Sequence, residues 1–566
     1  MDALIARAEA WIAQDPDPET RAELQGLIDA HDPELGERFA GPLAFGTAGL
    51  RGILGAGETR MNRAVVIRTT AGLAAYLLEH VVDAKARGVV VGYDGRRLSD
   101  VFARDVAAVL SAAGLRVHLS PNRCPTPIVA FGVKELDAAA GVMVTASHNP
   151  PEYNGYKVYA HNGAQIIVPM DRLIAEAIAQ APPANEIPLD DDLDNVLSLD
   201  VERSYLDAVR GLAMKGSGDR SLGIAYTPLH GVGAPLIGKA MAEAGFQNVH
   251  VVAEQAEPDG AFPTVAFPNP EEEGAMDLVL ALAEEHRAPL VLANDPDADR
   301  LAAAVRTDDG YVQLTGNELG VLLGAYMLSR EPGTDRLVIA TIVSSPMLGA
   351  IARDLGVRFA ETLTGFKWIT NRAMELEASD GLRFVFGYEE ALGYCVDRIV
   401  RDKDGISAAV VLATHAAELH AEGETLLDEL ERLGRRHGLY ASAQKSLKFP
   451  GAEGPAKMAS LMNGLRQQPP RELAGATVEA VVDILTSTRT TADGGETAVD
   501  LPSSDVLVFE LTGGHRVVAR PSGTEPKVKI YVDVRETIAT DETLDVARSR
   551  ADGRIANLMD AILSRL

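Results

Sequence analysis

The chain has 566 residues, of which 46% are hydrophobic and 24% are charged, as is usual for globular proteins. A single hydrophobic core stops growing at roughly 250–300 residues, so we expect several domains. The formal net charge of −28 argues against nucleic acid or an anionic membrane as a partner, because both bind basic surfaces. A negatively charged ligand would need its own local cluster of Arg and Lys side chains.

Three features predict the compartment. The two cysteines, Cys124 and Cys395, cannot form a disulfide framework, which fits a reducing environment. The first residues are acidic and lack the basic and apolar regions of a signal peptide. No segment reaches the ~20 apolar residues of a membrane span. We therefore expect a soluble cytoplasmic protein.

The predicted elements alternate between strands and helices, which is typical of α/β domains. Ser99 is the predicted N-cap of a helix that runs to Ala113. The strands are predicted at 88–93, 115–119, 141–146, 222–227, 249–252, 290–293, 336–341, 357–361 and 384–386.

The pattern repeats three times and then changes. The first ~44 residues read as helical and acidic, and 181–196 reads as a linker because it is rich in Pro and Asp. The last ~140 residues combine helix formers with strands near 506–511 and 517–520, which indicates a smaller α+β domain. The predicted domains are 1–190, 200–308, 309–425 and 435–566.

The segment TASHNPPEYNGYKVY brings Ser147 and His148 to the end of a predicted strand. Prolines after them stop regular structure, so Ser147 is a candidate nucleophile or phosphate carrier. Lys157 follows ten residues later as a cation that could move a proton or hold a phosphate. A bare Ser-His pair is more often a turn, and the segment lacks the G-x-S-x-G pattern of hydrolases.

The segment NDPDADR places Asp295, Asp297 and Asp299 at alternate positions. This spacing can direct three carboxylates to one centre, and Mg²⁺ prefers such oxygen ligands. Arg300 could offset their charge and contact a phosphate. A solvated acidic turn is the alternative interpretation, and the segment lacks the Gly and distal Glu of an EF-hand.

Four further segments could bind a sugar phosphate. RPSGTEPKVKIY offers the donors that a non-reacting phosphate needs, and an ordinary basic turn is the alternative. GYEEALGY carries paired acids suited to sugar hydroxyls, LTGFKW adds a lysine, and FGTAGLRG adds an arginine among glycines. The candidate residues are Arg520, Ser522, Gly523, Thr524, Lys529, Glu389, Glu390, Thr364, Gly365, Lys367 and Arg51. GYDGRRLS and TPLHGVG, with His230, are interpreted as structural.

Together these segments resemble the α-D-phosphohexomutase family, the phosphoglucomutases and phosphomannomutases, from Phe45 to Tyr531. The resemblance implies four domains around a central cleft, three similar α/β mixed-sheet units and a smaller C-terminal α+β domain. The GYEEALGY loop and the long N-terminal extension are similar to the phosphoglucomutase-2/phosphopentomutase branch, whose members act on different sugars.

The resemblance also implies roles for individual residues. Ser147 matches the phosphoserine, with Mg²⁺ held by its phosphate and the three aspartates. Lys157 and Arg51 match the groups for acid–base work and charge stabilisation, and Glu389 matches the sugar-contacting glutamate. The loop from Arg520 matches the distal phosphate site.

The expected reaction is a phosphosugar mutase that interconverts glucose 1-phosphate and glucose 6-phosphate, primed by a sugar 1,6-bisphosphate. A phosphopentomutase, a glucose-1,6-bisphosphate synthase, a phosphatase and a non-catalytic sugar-phosphate-binding protein are the alternatives. The expected partner is a small-molecule sugar phosphate, and the protein is expected to be a monomer or dimer.

Overall fold

The computed structural model describes residues 2–46, 49–451, 453–522 and 527–565. The chain forms two compact units. The first unit contains Met1–Leu314 and Leu392–Gly423, and the second contains Thr315–Ala391 and Glu424–Leu566. Among the described residues, no helix is both long enough and apolar enough to cross a membrane.

The helices are α1 (Asp2–Gln14), α2 (Pro18–Asp29), α3 (Glu34–Arg38), α4 (Arg63–His80), α5 (Ala84–Arg87), α6 (Ser99–Ala112), α7 (Thr126–Glu135), α8 (Met170–Ala179), α9 (Glu202–Ala213), α10 (Ala234–Glu243), α11 (Asp277–His286), α12 (Gly316–Arg330), α13 (Met347–Asp354), α14 (Phe366–Asp380), α15 (Gly405–Ala421), α16 (Leu426–His437), α17 (Gly454–Gln467) and α18 (Leu544–Leu563).

The strands are β1 (Leu50–Ile53), β2 (Val89–Tyr93), β3 (Val117–Leu119), β4 (Ala140–Val144), β5 (Tyr153–Ala160), β6 (Val196–Ser198), β7 (Ile224–Thr227), β8 (Val249–Val251), β9 (Leu290–Ala293), β10 (Ala302–Thr307), β11 (Gly310–Gln313), β12 (Arg336–Thr341), β13 (Arg358–Thr362), β14 (Arg383–Glu389), β15 (Gly393–Val396), β16 (Leu439–Lys448), β17 (Glu472–Leu473), β18 (Ala476–Asp483), β19 (Thr488–Thr491), β20 (Glu496–Ala498), β21 (Leu507–Leu511), β22 (His515–Pro521) and β23 (Lys527–Glu536).

The first unit contains two mixed sheets. The first sheet has the strand order β1-β5-β4-β2-β3-β6, in which β2 runs parallel to β3 and β4 while β5 runs antiparallel to β4. The second has the order β11-β10-β9-β7-β8, with β7 parallel to β8 and β9. Ligands usually bind outside the carboxyl ends of parallel strands, and the loops after β2, β4 and β9 leave the sheets there.

The second unit combines parallel and antiparallel pairing. Strand β12 runs parallel to both β13 and β14. The C-terminal part is an eight-stranded sheet with the path β16-β23-β22-β21-β18-β19-β20, in which β17 also pairs with β18. Its inward side chains pack against α17 and α18. The predicted α/β and α+β classes are confirmed, while the exact domain boundaries stay predictions.

One local prediction differs from the structure, and a second segment is more packed than its composition suggests. Helix α6 is not capped by Ser99: Leu98 precedes it in a left-handed conformation, and the Ser99 hydroxyl donates to Asp94 instead. The segment 181–196, which we interpreted as a linker, packs in part against the first unit, because Ala184 and Ile187 are buried. The next residues, Val196–Ser198, pair with β3 and extend the first sheet, so apolar contacts outweigh the local Pro and Asp content.

The helical N-terminal extension is a packed part of the first unit. Trp11, Leu24 and Phe39 belong to one apolar cluster with Ala64 and Ile67 of α4. Full burial of one large apolar side chain contributes about 1.5–3 kcal/mol to stability. The extension therefore covers α4 rather than standing apart from the first sheet.

Candidate functional site

Strand β4 delivers Ser147 to a tight loop in the first unit. Ser147 is 3% exposed and has a φ of 51°, in the left-handed region that non-glycine residues rarely adopt. Its backbone N–H donates to Thr145 Oγ1 at 2.8 Å. Its Oγ donates to Asp295 Oδ2 at 2.9 Å and lies 3.2 Å from His148 Nδ1. The predicted serine therefore lies beside the predicted acidic loop.

The three aspartates after β9 converge on one point. Asp295, Asp297 and Asp299 are buried, and one ligand oxygen of each lies within 4.8 Å of the others. Within the described part of the chain, Asp297 Oδ1 and Asp299 Oδ1 are buried without a hydrogen-bond donor. Buried carboxylate oxygens need a donor or a cation, and three hard oxygen ligands fit a divalent metal ion.

Two lysines balance part of the negative charge of the aspartates through ion pairs with two of their Oδ2 atoms. Lys157 Nζ lies 3.2 Å from Asp297 Oδ2 and 3.0 Å from Asp299 Oδ2. Lys403 Nζ lies 3.3 Å from the same oxygen of Asp299. The lysines neutralise the Oδ2 atoms of Asp297 and Asp299, whereas the Oδ1 atom of Asp299 has Arg300 Nε at 3.9 Å.

The ionisation of the site follows from burial and charge. Burial, followed by repulsion from Asp297 and Asp299, raises the pKa of Asp295 well above its usual value. Burial would lower the pKa of Lys157, but attraction from Asp299 and Asp297 outweighs it and raises that pKa. Burial lowers the pKa of His148 well below its usual value, with help from Arg300. Lys157 is thus an ammonium and His148 a neutral ring at neutral pH.

Two arginines complete the cationic cluster that the net charge requires. Arg300 Nε lies 3.9 Å from Asp295 Oδ2 and 3.9 Å from Asp299 Oδ1. Arg51, on β1, is exposed and donates to Asn149 Oδ1 at 3.0 Å in the loop after Ser147. Glycine is required before it, because a Cβ at Gly49 would lie 1.9 Å from the carbonyl oxygen of Tyr156.

In the second unit, the predicted sugar-binding residues surround the end of β14. Glu389 Oε1 accepts from the backbone N–H of Gly365 at 3.2 Å, so the segments GYEEALGY and LTGFKW meet. Glu390 Oε2 accepts from Thr341 Oγ1 at 3.2 Å and Ser344 Oγ at 3.3 Å. Burial and repulsion from Glu389 raise the pKa of Glu390 to about 7.

The other residues of LTGFKW and GYEEALGY differ in their contacts. Thr364 and Lys367 are partly buried, and Lys367 Nζ lies 5.7 Å from the centre of the Trp368 ring. The Tyr388 hydroxyl, next to Glu389 in the chain, donates to the carbonyl oxygen of Ser345 at 3.2 Å inside the unit.

The predicted distal phosphate loop connects β22 and β23. Arg520 is opposite Lys529 in the strand register, and the Ser522 N–H donates to the Lys527 carbonyl at 2.7 Å. Gly523 and Thr524 lie outside the described residues. Lys529 acts electrostatically on Glu390, and both glutamates act on Tyr531, so these groups are neighbours in the second unit.

Sequence reasoning missed three residues of the first unit. Lys403 comes from the loop before α15, and its DKDG segment carried no signal that we recognised. Thr126, which begins α7, donates to Asp297 Oδ2 at 2.6 Å. Arg96, in the segment interpreted as structural, donates to four carbonyl oxygens of the Ser147 loop. His230 donates to or accepts from Thr264 Oγ1 at 2.8 Å.

Comparison with known proteins gives the family. Models of phosphoglucomutase/phosphomannomutase domains match the chain in order: α/β/α domain I at residues 42–184, domain II at 203–310, domain III at 315–433 and the C-terminal domain at 468–548.

The names of individual relatives specify different sugars. The chain is 43% identical to a "probable phosphomannomutase" of Haemophilus influenzae over 84% of this chain and 93% of that protein. It is 38% identical to a "probable phosphoribomutase" of Schizosaccharomyces pombe over 94% of each chain. It is 35% identical to a phosphoglucomutase of Staphylococcus aureus over 89% of this chain and 92% of that protein.

A solved structure shows the same fold. A phosphoglucomutase/phosphomannomutase family protein of Burkholderia thailandensis superposes with a TM-score of 0.68 at 21% identity, covering 92% of this chain and 96% of that one. With four domain models matched in order, the chain belongs to the phosphoglucomutase/phosphomannomutase (α-D-phosphohexomutase) family of intramolecular phosphoryl transferases.

Proposed function

We propose that the protein is a phosphoglucomutase that carries the transferred phosphoryl group on Ser147. The observation that supports this most is the contact between Ser147 Oγ and Asp295 at 2.9 Å. It lies beside two carboxylate oxygens to which no group of the described residues donates a hydrogen bond. A hydroxyl at a metal site, flanked by two lysines and two arginines, suits the transfer of a highly charged group.

The proposed reaction has two transfers. Phosphorylated Ser147 gives its phosphoryl group to the 6-hydroxyl of glucose 1-phosphate; the bond from phosphorus to Oγ breaks, and one to the sugar oxygen forms. In each transfer the attacking hydroxyl gives up its proton and the departing oxygen gains one, so Ser147 Oγ ends the first step as a hydroxyl. Glucose 1,6-bisphosphate then turns round and returns its 1-phosphoryl group to Ser147, which leaves glucose 6-phosphate.

Different residues would bind the metal, stabilise negative charge and orient the serine oxygen. Asp295, Asp297 and Asp299 would hold Mg²⁺, which when bound neutralises charge on the transferred group. Lys157, as an ammonium, stabilises negative charge, and Arg51 and Arg300 add cations. His148 Nδ1, 3.2 Å from Ser147 Oγ, can hydrogen-bond that oxygen as a neutral ring and orient it.

In the second unit, we propose that Glu389 and Glu390 bind the sugar hydroxyls, with Thr364, Gly365 and Lys367 beside them. Arg520, Ser522, Gly523, Thr524 and Lys529 would bind the phosphate that does not react. Carboxylates suit hydroxyl donors, and a guanidinium with backbone and hydroxyl donors suits a phosphate. The buried free cysteines, Cys124 and Cys395, support a reducing cytoplasmic location.

A phosphopentomutase is the second candidate. The observation that favours it is the 38% identity over 94% of the chain to a relative whose name specifies a pentose. Ribose 1-phosphate and ribose 5-phosphate would follow the same two transfers on Ser147.

The test measures conversion of glucose 1-phosphate to glucose 6-phosphate with Mg²⁺ and trace glucose 1,6-bisphosphate. The parent should turn over, and Ser147→Ala should lose more than about 1,000-fold in kcat because the covalent carrier is gone. Ser111→Ala is the matched control: Ser111 is also a buried serine of the first unit, but it bonds Asp190. Full activity of Ser147→Ala would refute the mechanism.

The parent and Ser147→Ala also test which sugar phosphate is the preferred substrate. Turnover of ribose 1-phosphate well above that of glucose 1-phosphate, lost again in Ser147→Ala, would select the pentose. Steady release of inorganic phosphate would indicate a phosphatase. Priming by an acyl phosphate, but not by the sugar bisphosphate, would indicate a bisphosphate synthase.

A further inference from the structure

The loop that follows β4 is held by one buried guanidinium. Arg96, in the loop after the neighbouring strand β2, is 3% exposed. Its Nη1 donates to the carbonyl oxygens of Pro150 at 2.8 Å and Tyr153 at 3.1 Å. Its Nη2 donates to the carbonyl oxygen of Ser147 at 2.6 Å and to that of Asn149. One side chain thus connects both ends of the segment 147–153.

The same arginine also acts on the other side of Ser147. Asp94 Oδ2 lies 3.5 Å from Arg96 Nε, and Asp94 is hydrogen-bonded to the Thr145 side chain. Thr145 Oγ1 in turn accepts the backbone N–H of Ser147. Arg96 therefore binds the carbonyl oxygen of Ser147 directly, and its ion pair with Asp94 adjoins the hydrogen bonds that hold the N–H of Ser147.

This arrangement matters because the Ser147 backbone is strained. A non-glycine residue with a φ of 51° costs about 1–3 kcal/mol unless its surroundings impose that conformation. Arg96 is itself confined, since its guanidinium lies 5.0 Å from the centre of the Phe262 ring. Its hydrogen bonds have a charged donor, and such charge-assisted bonds are stronger than those between two neutral groups.

We propose that Arg96 is a positioning residue that holds Ser147 in its left-handed conformation, so that Oγ faces the aspartate cluster during both phosphoryl transfers. This inference rests on the proposed role of Ser147 as the phosphoryl carrier. Arg96 is buried under the loop, so its loss should affect the rate of transfer more than binding of the sugar phosphate.

The chain contains a matched control at the opposite end of the same two strands. Arg87 precedes β2 and donates to the carbonyl oxygens of Asp137 at 2.8 Å and Ala138 at 3.2 Å, just before β4. It therefore holds a loop by carbonyl contacts in the same sheet, at the end away from Ser147. A purely structural role for Arg96 would make Arg96→Ala behave like Arg87→Ala.

The experiment compares kcat, KM and thermal unfolding of Arg96→Ala, Arg96→Lys, Arg87→Ala and the parent. A misplacement of about 1 Å costs on the order of 100-fold in rate, so we expect that loss of kcat for Arg96→Ala, about 10-fold for Arg96→Lys, and a KM within about threefold of the parent. Lysine keeps the charge but cannot bond four carbonyls at once.

Two further readouts separate positioning from folding. Millimolar guanidinium should restore part of the kcat of Arg96→Ala, and it should not change Arg87→Ala. The rate at which glucose 1,6-bisphosphate phosphorylates Ser147 in a single turnover, followed by intact mass, should fall with kcat. If Arg96→Ala does not fold, kcat and the rate of Ser147 phosphorylation in Arg96→Lys test the positioning role instead.

The inference is overturned if folded Arg96 variants keep kcat within about threefold of the parent, or if kcat falls no more than in Arg87→Ala. A rise in KM that accounts for the whole loss would also overturn it. Ser147→Ala separates the two proposals: if it is inactive while Arg96 variants are active, only this inference fails. If Ser147→Ala is active, the proposed function fails first.

Discussion

Replacement of Lys157 by methionine tests the charge balance of the site. Lys157 lies 3.0 Å and 3.2 Å from carboxylate oxygens of Asp299 and Asp297. At an effective dielectric constant of about 20, each contact corresponds to roughly 5 kcal/mol of Coulomb attraction, which desolvation of the ammonium partly offsets. Removing one partner of a buried ion pair costs about 3–5 kcal/mol, so Lys157→Met should be strongly destabilised without metal.

Magnesium should reduce this loss. The two carboxylates lose a neighbouring cation in Lys157→Met, so they should bind a divalent ion more tightly than in the parent. Each tenfold gain in affinity narrows the stability gap by about 1.4 kcal/mol at saturating metal. We expect a difference in Tm from the parent of roughly 10 °C in EDTA, and a clearly smaller one in MgCl₂.

The assay is calorimetric unfolding of the parent, Lys157→Met and Arg63→Met in both buffers. Arg63 pairs with the buried Asp105 at 2.7 Å in the same unit, so its replacement removes a comparable ion pair outside the aspartate cluster. The loss in Arg63→Met should not depend on Mg²⁺. An equal loss for Lys157→Met in EDTA and in MgCl₂ would refute the electrostatic coupling between Lys157 and a metal bound by the cluster.

Two further predictions concern groups around the two sites. Thr126→Val removes the donor to Asp297 Oδ2 and should lower Mg²⁺ affinity by about 10-fold, measured by titration calorimetry; unchanged affinity would contradict an orienting role. The pKa of Glu390 is raised from 4.5 to about 7, so the folded protein holds a proton that the unfolded chain releases between these pH values. The free energy of unfolding should therefore fall as pH rises from about 4.5 to 7, and Glu390→Gln should lack this slope. Parallel pH profiles for the parent and Glu390→Gln would show that Glu390 does not titrate in this range.

Much of the secondary structure followed from local sequence. Apolar runs bounded by Gly, Pro and Asp predict β9 and β12 within their observed bounds, because a buried strand needs both features in a short window. The predicted helix cap at Ser99 was wrong, since the Ser99 hydroxyl bonds a residue outside the helix. Asp94 accepts a hydrogen bond from the Ser99 hydroxyl. Likewise, the pairing of Val196–Ser198 with strand β3 had no signal in the local sequence.

The chemistry of Asp295, Asp297 and Asp299 could be predicted because the three ligands lie within five consecutive residues, so a single loop can direct them to one point. Their surroundings could not. Lys157, Lys403 and Thr126 reach the same carboxylates from three distant parts of the chain, and only the pairing of strands and packing of helices brings them there. A guanidinium such as Arg96 looks the same in sequence whether it faces solvent or holds a loop. Burial and the direction of its five donors decide which, and both are properties of the folded chain.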